Sequence, residues 1–256
     1  MQNFPESTST AVTRTVVCMK WGHKYSAEYV NVLCRMVRRH CRSEHRFACI
    51  TDDARGIERG IDILPLTAHP LPRRPDTEAW RKLQLFDPAN GLSGACLFLD
   101  LDVVITERIE PFFECEGEFL IIKNWTHIDR RVGNSSVMRF VAGAHANVFA
   151  KFIRDPDLIA TRYRNEQSYL SNEIDATTGL AWWPEAWCRS YKKHCLAPLP
   201  RKLISMPLLP PECRILVFHG QPNPPEAARN WFYRTDKRFR LPKVARPAPW
   251  ILDHWR

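Results

Sequence analysis

The segment Ala95-Cys96-Leu97-Phe98-Leu99-Asp100-Leu101-Asp102-Val103-Val104-Ile105 constrains this chain more than any other. An apolar run is interrupted by two aspartates one residue apart and then resumes. Such a run reads as a buried strand. A carboxylate at the end of a buried strand is costly unless a cation or a hydrogen-bond donor meets it. Two on one strand end suggest a divalent metal, with a phosphate beyond it.

The residues around this segment set its context. Residues 15–20 read as a first strand, and Ser26 is placed to cap a helix running to Cys41. On that helix Tyr29, Leu33, Met36, Val37 and Cys41 follow helical spacing, with Arg35, Arg38 and Arg39 off the stripe. Residues 46–50 form a second strand closed by Thr51-Asp52-Asp53, and 61–64 a shorter third. Pro65, Pro70, Pro72 and Pro75 mark a loop, and 79–86 a short helix stopped by Asp87-Pro88. Strand, helix, strand, then a central strand ending in polar residues is the pattern of a parallel, Rossmann-like sheet. Ligands of such sheets gather at the carboxyl ends of the strands. Three polar clusters fall there: Lys20-Trp21-Gly22, Thr51-Asp52-Asp53, and Asp100 with Asp102.

Beyond them, 118–123 and 136–140 read as strands, 143–153 and 165–172 as helices, and 214–218 as a late strand ending in His219-Gly220. Asp155 and Asp157 fall in a polar loop. There is no GxxxxGK[ST] loop and no GxGxxG, so a glycine loop is not the means of binding phosphate.

Composition bounds the class. The 256 residues, 45% hydrophobic and 25% charged, fit one globular α/β domain with a terminal extension. The charge of +9 is uneven: from residue 186 onward there are 14 Lys and Arg against 4 Asp and Glu, and the rest is nearly neutral. Such asymmetry suggests an anionic partner at the C-terminal quarter, or a solvated basic tail. Nine cysteines without a CxxC pair fit neither a disulfide framework nor a zinc site, and indicate a reducing cytoplasm. Residues 1–14 read as a polar, flexible leader without a secretory signal, 15–225 as the catalytic domain, and 226–256 as a basic, Trp-rich extension. No apolar run approaches the roughly 20 residues that span a bilayer, so any membrane contact is expected to be peripheral. No helix-turn-helix, zinc finger or RNA-recognition motif is present, which argues against sequence-specific nucleic-acid binding.

Asp100-Leu101-Asp102 carries two enzymatic readings. The pair holds Mn²⁺ or Mg²⁺ against the diphosphate of a nucleotide sugar. Alternatively it is the nucleophile strand of a haloacid-dehalogenase-like phosphatase, with Asp100 phosphorylated and Asp102 the acid/base. A non-catalytic module binding nucleotide sugars or anions is a third possibility, and strand-end carboxylates that cap a helix or pair with arginine are the structural alternative. Chain order favours the first reading, because the phosphatase strand usually opens its domain and here two or three strands precede it.

Several motifs in order resemble the GT-A glycosyltransferases, nearest to the family 8, glycogenin-like and lipopolysaccharide-galactosyltransferase-like enzymes. Tyr25 lies where the family places an aromatic near the base, and Asp52 matches a base-recognising residue after the second strand. Lys82 in Trp80-Arg81-Lys82-Leu83 resembles a lysine ahead of the DxD strand, and Asp100-Leu101-Asp102 matches the DxD. Asn134-Ser135-Ser136-Val137-Met138 resembles the segment lining the donor-sugar pocket, and Glu166-Gln167 the acidic-Gln pair near the reacting carbon. His219-Gly220-Gln221-Pro222 resembles the late segment whose histidine is a metal ligand. The match spans roughly residues 15–225. Ser136 stands for the usual glycine, Glu166 for Asp, and Gln221 where a phosphate-binding lysine is expected.

The resemblance implies a GT-A, mostly parallel α/β sheet flanked by helices, and transfer from a nucleotide-diphosphate sugar with retention. Asp102, Asp100 and His219 are then the candidate ligands of Mn²⁺, which a nitrogen ligand favours. Tyr25, Thr51, Asp52, Lys82, Asp100, Asn134, Ser135 and Gly220 are the candidate donor-binding residues, and Gln167 and Glu166 the candidate catalytic ones. The acceptor is a saccharide, a lipid-linked sugar or a protein. Late aromatics, among them Trp182, Trp183, Trp187, Tyr191, Trp231, Phe232, Tyr233, Trp250 and Trp255, serve core packing, sugar stacking or a membrane interface.

Overall fold

The computed structural model describes residues 13–126, 131–198, 201, 204–235 and 242–256. Most of the expected leader, residues 1–12, lies outside the described residues. Strand β1 (Arg14–Lys20) is apolar and buried along nearly its whole length. It leads to α1 (Ala27–His40), whose Val30, Leu33, Cys34, Met36 and Val37 face the core. Then follow β2 (Arg46–Thr51), β3 (Asp62–Pro65), a 3₁₀ helix (Glu78–Phe86) and β4 (Ala95–Leu99). The helix expected at 79–86 is thus a tighter 3₁₀ one, closed at Asp87 before Pro88 as the sequence requires.

The apolar run that carries the two aspartates is not one strand. It stops at Leu99, turns through Asp100-Leu101-Asp102, and resumes as β5 (Val103–Ile105) in a different sheet. The next elements are α2 (Pro111–Glu114), β6 (Leu120–Lys123) and β7 (Gly133–Val141). Helices α3 (Ala146–Arg154), α4 (Pro156–Arg162) and α5 (Glu166–Asp175) follow. The expected polar loop at Asp155 and Asp157 is therefore helical. Asp155 caps α4 by accepting the Leu158 N–H at 2.9 Å, and Asp157 lies in its first turn.

β8 (Ala181–Trp182), β9 (Cys188–Ser190) and a π turn (Tyr191–Cys195) precede β10 (Ile215–Val217). The chain closes with α6 (Pro224–Arg229), the hairpin β11 (Phe232–Thr235) and β12 (Pro242–Ala245), and α7 (Ile251–His254). Of Phe232 and Tyr233 only the backbone is described.

The main sheet has the order β3-β2-β1-β4-β7-β6-β8. β3, β2, β1 and β4 are mutually parallel, and β7 alone runs against its neighbours. A smaller sheet, β5-β10-β9, stands beside it. Core side chains cover both faces of the main sheet. Leu97 and Leu99 of β4 point to α1, the small sheet and the C-terminal segment, which contributes Ala227, Ala248, Ile251 and Trp255. Cys96 and Phe98 point to Trp80, Leu83, Phe149, Phe152 and Tyr169 of the 3₁₀ helix, α3 and α5. Burying a strand on both faces makes its sequence an uninterrupted apolar run rather than an alternating one.

All nine cysteines are free, and eight of them are buried. No helix among the described residues is long and apolar enough to cross a membrane.

One glycine is fixed by the sheet. Gly94 has φ +67°, and a Cβ there would lie 2.0 Å from the Thr13 carbonyl oxygen, where β1 and β4 begin to pair. The Gly94→Ala variant is therefore expected to lose about 2 kcal/mol or more, read as an earlier urea midpoint.

Candidate active site

A cavity of about 430 Å³ opens at the carboxyl ends of β1 and β4. Here β2 lies on one side of β1 and β4 on the other, so the chain order reverses between β1 and β4. Open α/β sheets bind ligands at such a point.

Ten of the twelve residues expected from sequence line this cavity: Tyr25, Lys82, Asp100, Asp102, Asn134, Ser135, Glu166, Gln167, His219 and Gly220. They come from six separate places in the chain. Tyr25 follows β1, and Lys82 rides on the 3₁₀ helix. The aspartates form the turn between β4 and β5. Asn134 and Ser135 start β7, and Glu166 and Gln167 start α5. His219 and Gly220 follow β10. The other two do not line it. The Thr51 hydroxyl is buried in a turn, accepting the Asp53 N–H and donating to the Asp53 carbonyl, both at 3.1 Å. Asp52 accepts the Gly22 N–H at 3.0 Å and so braces the loop after β1.

The two aspartates have different partners. Asp100 accepts Lys82 Nζ at 2.7 Å, and its own N–H donates to the Ser136 carbonyl at 2.9 Å. Asp102, 6% exposed, accepts the Tyr25 hydroxyl at 2.7 Å. Burial and the neighbouring Asp100 raise the Asp102 carboxyl to about 6, although the Tyr25 hydrogen bond works the other way. Burial and the Asp102 charge in turn raise the Tyr25 phenol. Burial opposes the Lys82 ammonium, but Asp100 and Glu166 outweigh it and raise its pKa.

Helix α5 carries the opposite wall. Asn165 caps it by accepting the Ser168 N–H at 3.0 Å. Ser135 is held twice: its hydroxyl donates to Glu166 at 3.1 Å, and its N–H donates to Gln167 Oε1 at 3.0 Å. Lys82 Nζ also reaches the Ser135 hydroxyl, at 3.3 Å. Burial raises the Glu166 carboxyl, against the nearby Lys82.

His219 sits at the far edge. Its Nε2 is 2.7 Å from the Ser190 hydroxyl, its ring stacks on Trp125, and Lys192 Nζ donates to its carbonyl at 2.5 Å. Burial, with Lys192 and Lys193 near, lowers its pKa to about 4, so the imidazole is neutral at pH 7. The register Val217↔Val103 between β10 and β5 sets His219 beside the aspartate turn. Among the described residues, however, no three metal-ligating side chains converge on one point.

Sequence reasoning missed several lining groups. Lys24 stands 4.6 Å over the Tyr25 ring, two residues beyond the Lys20-Trp21-Gly22 cluster, whose Trp21 also lines the cavity. Asp76, at φ 59°, and Glu78 come from the Pro-rich loop and the 3₁₀ helix, where no periodic pattern marks an inward residue.

The lining now carries five carboxylates, Asp76, Glu78, Asp100, Asp102 and Glu166, against the ammonium groups of Lys24 and Lys82. That is a formal excess of three negative charges. On charge, a divalent cation fits at Asp100 and Asp102, where a buried carboxylate is otherwise held toward its protonated form.

No family matches the sequence, and no curated protein is close to it in sequence. The likeness is in the structure. The galactosyltransferase LgtC, in complex with donor and acceptor sugar analogs, superposes with a TM-score of 0.58. That match covers 82% of this chain and 88% of LgtC at 13% identity. The glycosyltransferase GlyE of Streptococcus pneumoniae TIGR4 gives 0.56, over 83% of this chain and 56% of its own, at 15% identity. The bifunctional glycosyltransferase WbbM gives 0.53, over 84% and 47%, at 9% identity. The protein therefore has the fold of the GT-A glycosyltransferases, with a mostly parallel sheet between helices.

Proposed function

We propose that the protein is a glycosyltransferase that moves a sugar from a nucleotide-diphosphate donor to an acceptor hydroxyl, with Mn²⁺ or Mg²⁺ at Asp100 and Asp102. The observation that carries this reading is the cavity at the β1/β4 switch point with its excess negative charge. An anionic diphosphate would be repelled there unless a divalent cation came with it. When bound, that cation neutralises the diphosphate and stabilises it as a leaving group. Tyr25 faces the donor from the end of β1, and Lys82 adds a positive charge bonded directly to Asp100. Asn134 and Ser135 present hydrogen-bonding groups for sugar hydroxyls, and Gly220, at φ +64°, carries the left-handed turn beside them. His219, a neutral imidazole, is the candidate third ligand and would have to leave Ser190 to act as one.

Retention belongs to the same proposal. Gln167 and Glu166 lie at the start of α5 in the cavity wall and share Ser135, which supports a role for their polar groups in stabilising the positive charge that develops on a transferred sugar. The nine free cysteines fit work in the reducing cytoplasm.

A thermal-shift screen tests the reading. A nucleoside diphosphate is expected to raise Tm only together with Mn²⁺, and one base is expected to exceed the others. Equal protection without the cation would refute the charge argument. Donor hydrolysis should then fall about 100-fold in Gln167→Ala, and the released sugar should keep its anomeric configuration by NMR. Hydrolysis of a phosphomonoester with Mg²⁺, and none of a nucleotide sugar, would transfer the assignment to the phosphatase.

A further inference from the structure

Trp255 connects to the aspartate turn through two other rings. It meets Tyr29 edge-on at 5.3 Å between centroids, and Tyr29 lies 4.8 Å from Tyr25. The Tyr25 hydroxyl then donates to Asp102 at 2.7 Å. A line of three aromatic side chains thus runs from the C-terminal segment to one of the two carboxylates of the turn.

The far end of this line is fixed. Trp255 is buried, and its N–H donates to the Ile251 carbonyl at 2.8 Å. The Arg39 guanidinium donates to the His254 and Arg256 carbonyls on either side of it. The Ala248 N–H donates to the Ala227 carbonyl at 2.8 Å, which ties the segment to α6. In the middle, the Tyr29 hydroxyl meets the Asn223 side chain at the start of α6, shortly after Gly220 of the cavity. Tyr29 therefore stands between the two loops that bring Tyr25 and Gly220 to the cavity.

The near end depends on that support. Asp52 holds the Tyr25 loop at Gly22, but Gly22, His23, Lys24 and Ser26 are exposed, and Ser26 caps α1 without a side-chain hydrogen bond. Tyr25 itself is half-buried, and the ring it packs on is Tyr29. Among the described residues, the Tyr25 hydroxyl is in turn the one hydrogen-bond donor on the Asp102 carboxylate. A buried carboxylate with one donor takes its direction from that donor.

We propose that Trp255 and Tyr29 are positioning residues for the candidate cation site: they hold the Tyr25 ring so that its hydroxyl directs the Asp102 carboxylate into the cavity. This deepens the reading under Proposed function and rests on it for the cation alone. Partners behind a metal ligand orient it, and losing one weakens metal binding about 10-fold or more.

Two measurements on the full chain test it. The first needs no cation. Tyr25→Phe removes only the hydroxyl, so it should shift the urea midpoint in the wild type and not in Asp102→Ala, where the acceptor is gone. In Trp255→Leu the Tyr25→Phe shift should fall by at least half, and Trp255→Phe should restore it. The second is the Mn²⁺ dissociation constant, read from the EPR signal of the free ion. Trp255→Leu and Tyr25→Phe should each weaken Mn²⁺ binding about 10-fold, and the double variant should lose no more than Tyr25→Phe alone. Phe119→Leu, in the core on the other face of the sheet, should lower Tm and leave the Mn²⁺ constant unchanged. A Tyr25→Phe shift as large in Trp255→Leu as in the wild type, or Mn²⁺ losses that multiply in the double variant, overturns the proposal. If Trp255→Leu does not fold, Tyr29→Leu breaks the same line of rings and is read in the same way. A wild type that takes up no Mn²⁺ would overturn the cation reading, while the first measurement still decides how Asp102 is held.

Discussion

D102N is expected to make the cation-free protein more stable while removing sugar transfer. The Asp102 carboxyl stands at about 6 in the fold, against an ordinary 3.8. A raised carboxylate pKa means that the folded state holds the proton more tightly than the unfolded chain. Stability from this group is therefore present at low pH and is lost as pH rises from about 4 to about 6. The loss at pH 7 is about 3 kcal/mol, taking about 1.4 kcal/mol for each tenfold change in proton affinity. Asparagine carries no charge to strand, and its carbonyl still accepts the Tyr25 hydroxyl. Melting curves should show D102N higher at pH 7 by several degrees, with the difference fading toward pH 4. Saturating Mn²⁺ should close the gap from the other side by stabilising only the wild type. A D102N protein no more stable than wild type at pH 7 would mean that Asp102 is already satisfied without a cation.

Lys82→Met should act in the opposite direction. Lys82 and Asp100 are mostly enclosed, with side-chain exposures of 11% and 21%. Removing the ammonium leaves Asp100 and Glu166 as neighbouring carboxylates and leaves the Ser135 hydroxyl without its second partner. Breaking such a pair by deleting one member costs about 3 kcal/mol. Urea unfolding at pH 7 should show that loss, and lowering the pH to 5 should return part of it as the carboxylates take up protons. The double variant D100N/K82M should regain most of the stability, because it removes the stranded charge as well, and the cycle measures the coupling directly. Donor hydrolysis should fall in both. Equal stability of K82M and wild type would place Lys82 outside the charge balance of the cavity.

Much of the sheet was legible because of how it is buried. β1, β2 and β4 are covered on both faces, so each is an unbroken apolar run that stops where the chain leaves the core. The strand ends were legible for the same reason: Lys20, Thr51 and Asp100 are the first polar residues after such runs, and of the three Asp100 lines the cavity. The split at Asp100 was not visible, since Val103-Val104-Ile105 is as apolar as the strand before it. Periodicity cannot tell one long strand from two short ones in different sheets. α4 was hidden by Pro156, which reads as a loop breaker but occupies the first turn of the helix, where its missing N–H costs nothing. Asp52 failed as a cavity residue because the sequence places it at a strand end without showing that Gly22 engages its carboxylate. Asp76 and Glu78 were missed because nothing in a proline-rich loop indicates which way a side chain turns.

The turn Asp100-Leu101-Asp102 joins the two sheets directly, with Leu99 the last residue of one and Val103 the first of the next. This has a consequence for how the chain can vary. Loop lengths elsewhere change without moving the sheets, but one residue added here would invert every side chain of β5 against β10. The same insertion would turn Val103, Val104 and Ile105 out of the core and shift His219 relative to the aspartates. Two unrelated requirements, core packing and the placing of a charged pair, thus share a linker of three residues. Natural variants are expected to keep the length of that linker even where they change its middle residue, and a deletion scan scored by solubility would show the intolerance without any assay of sugar transfer.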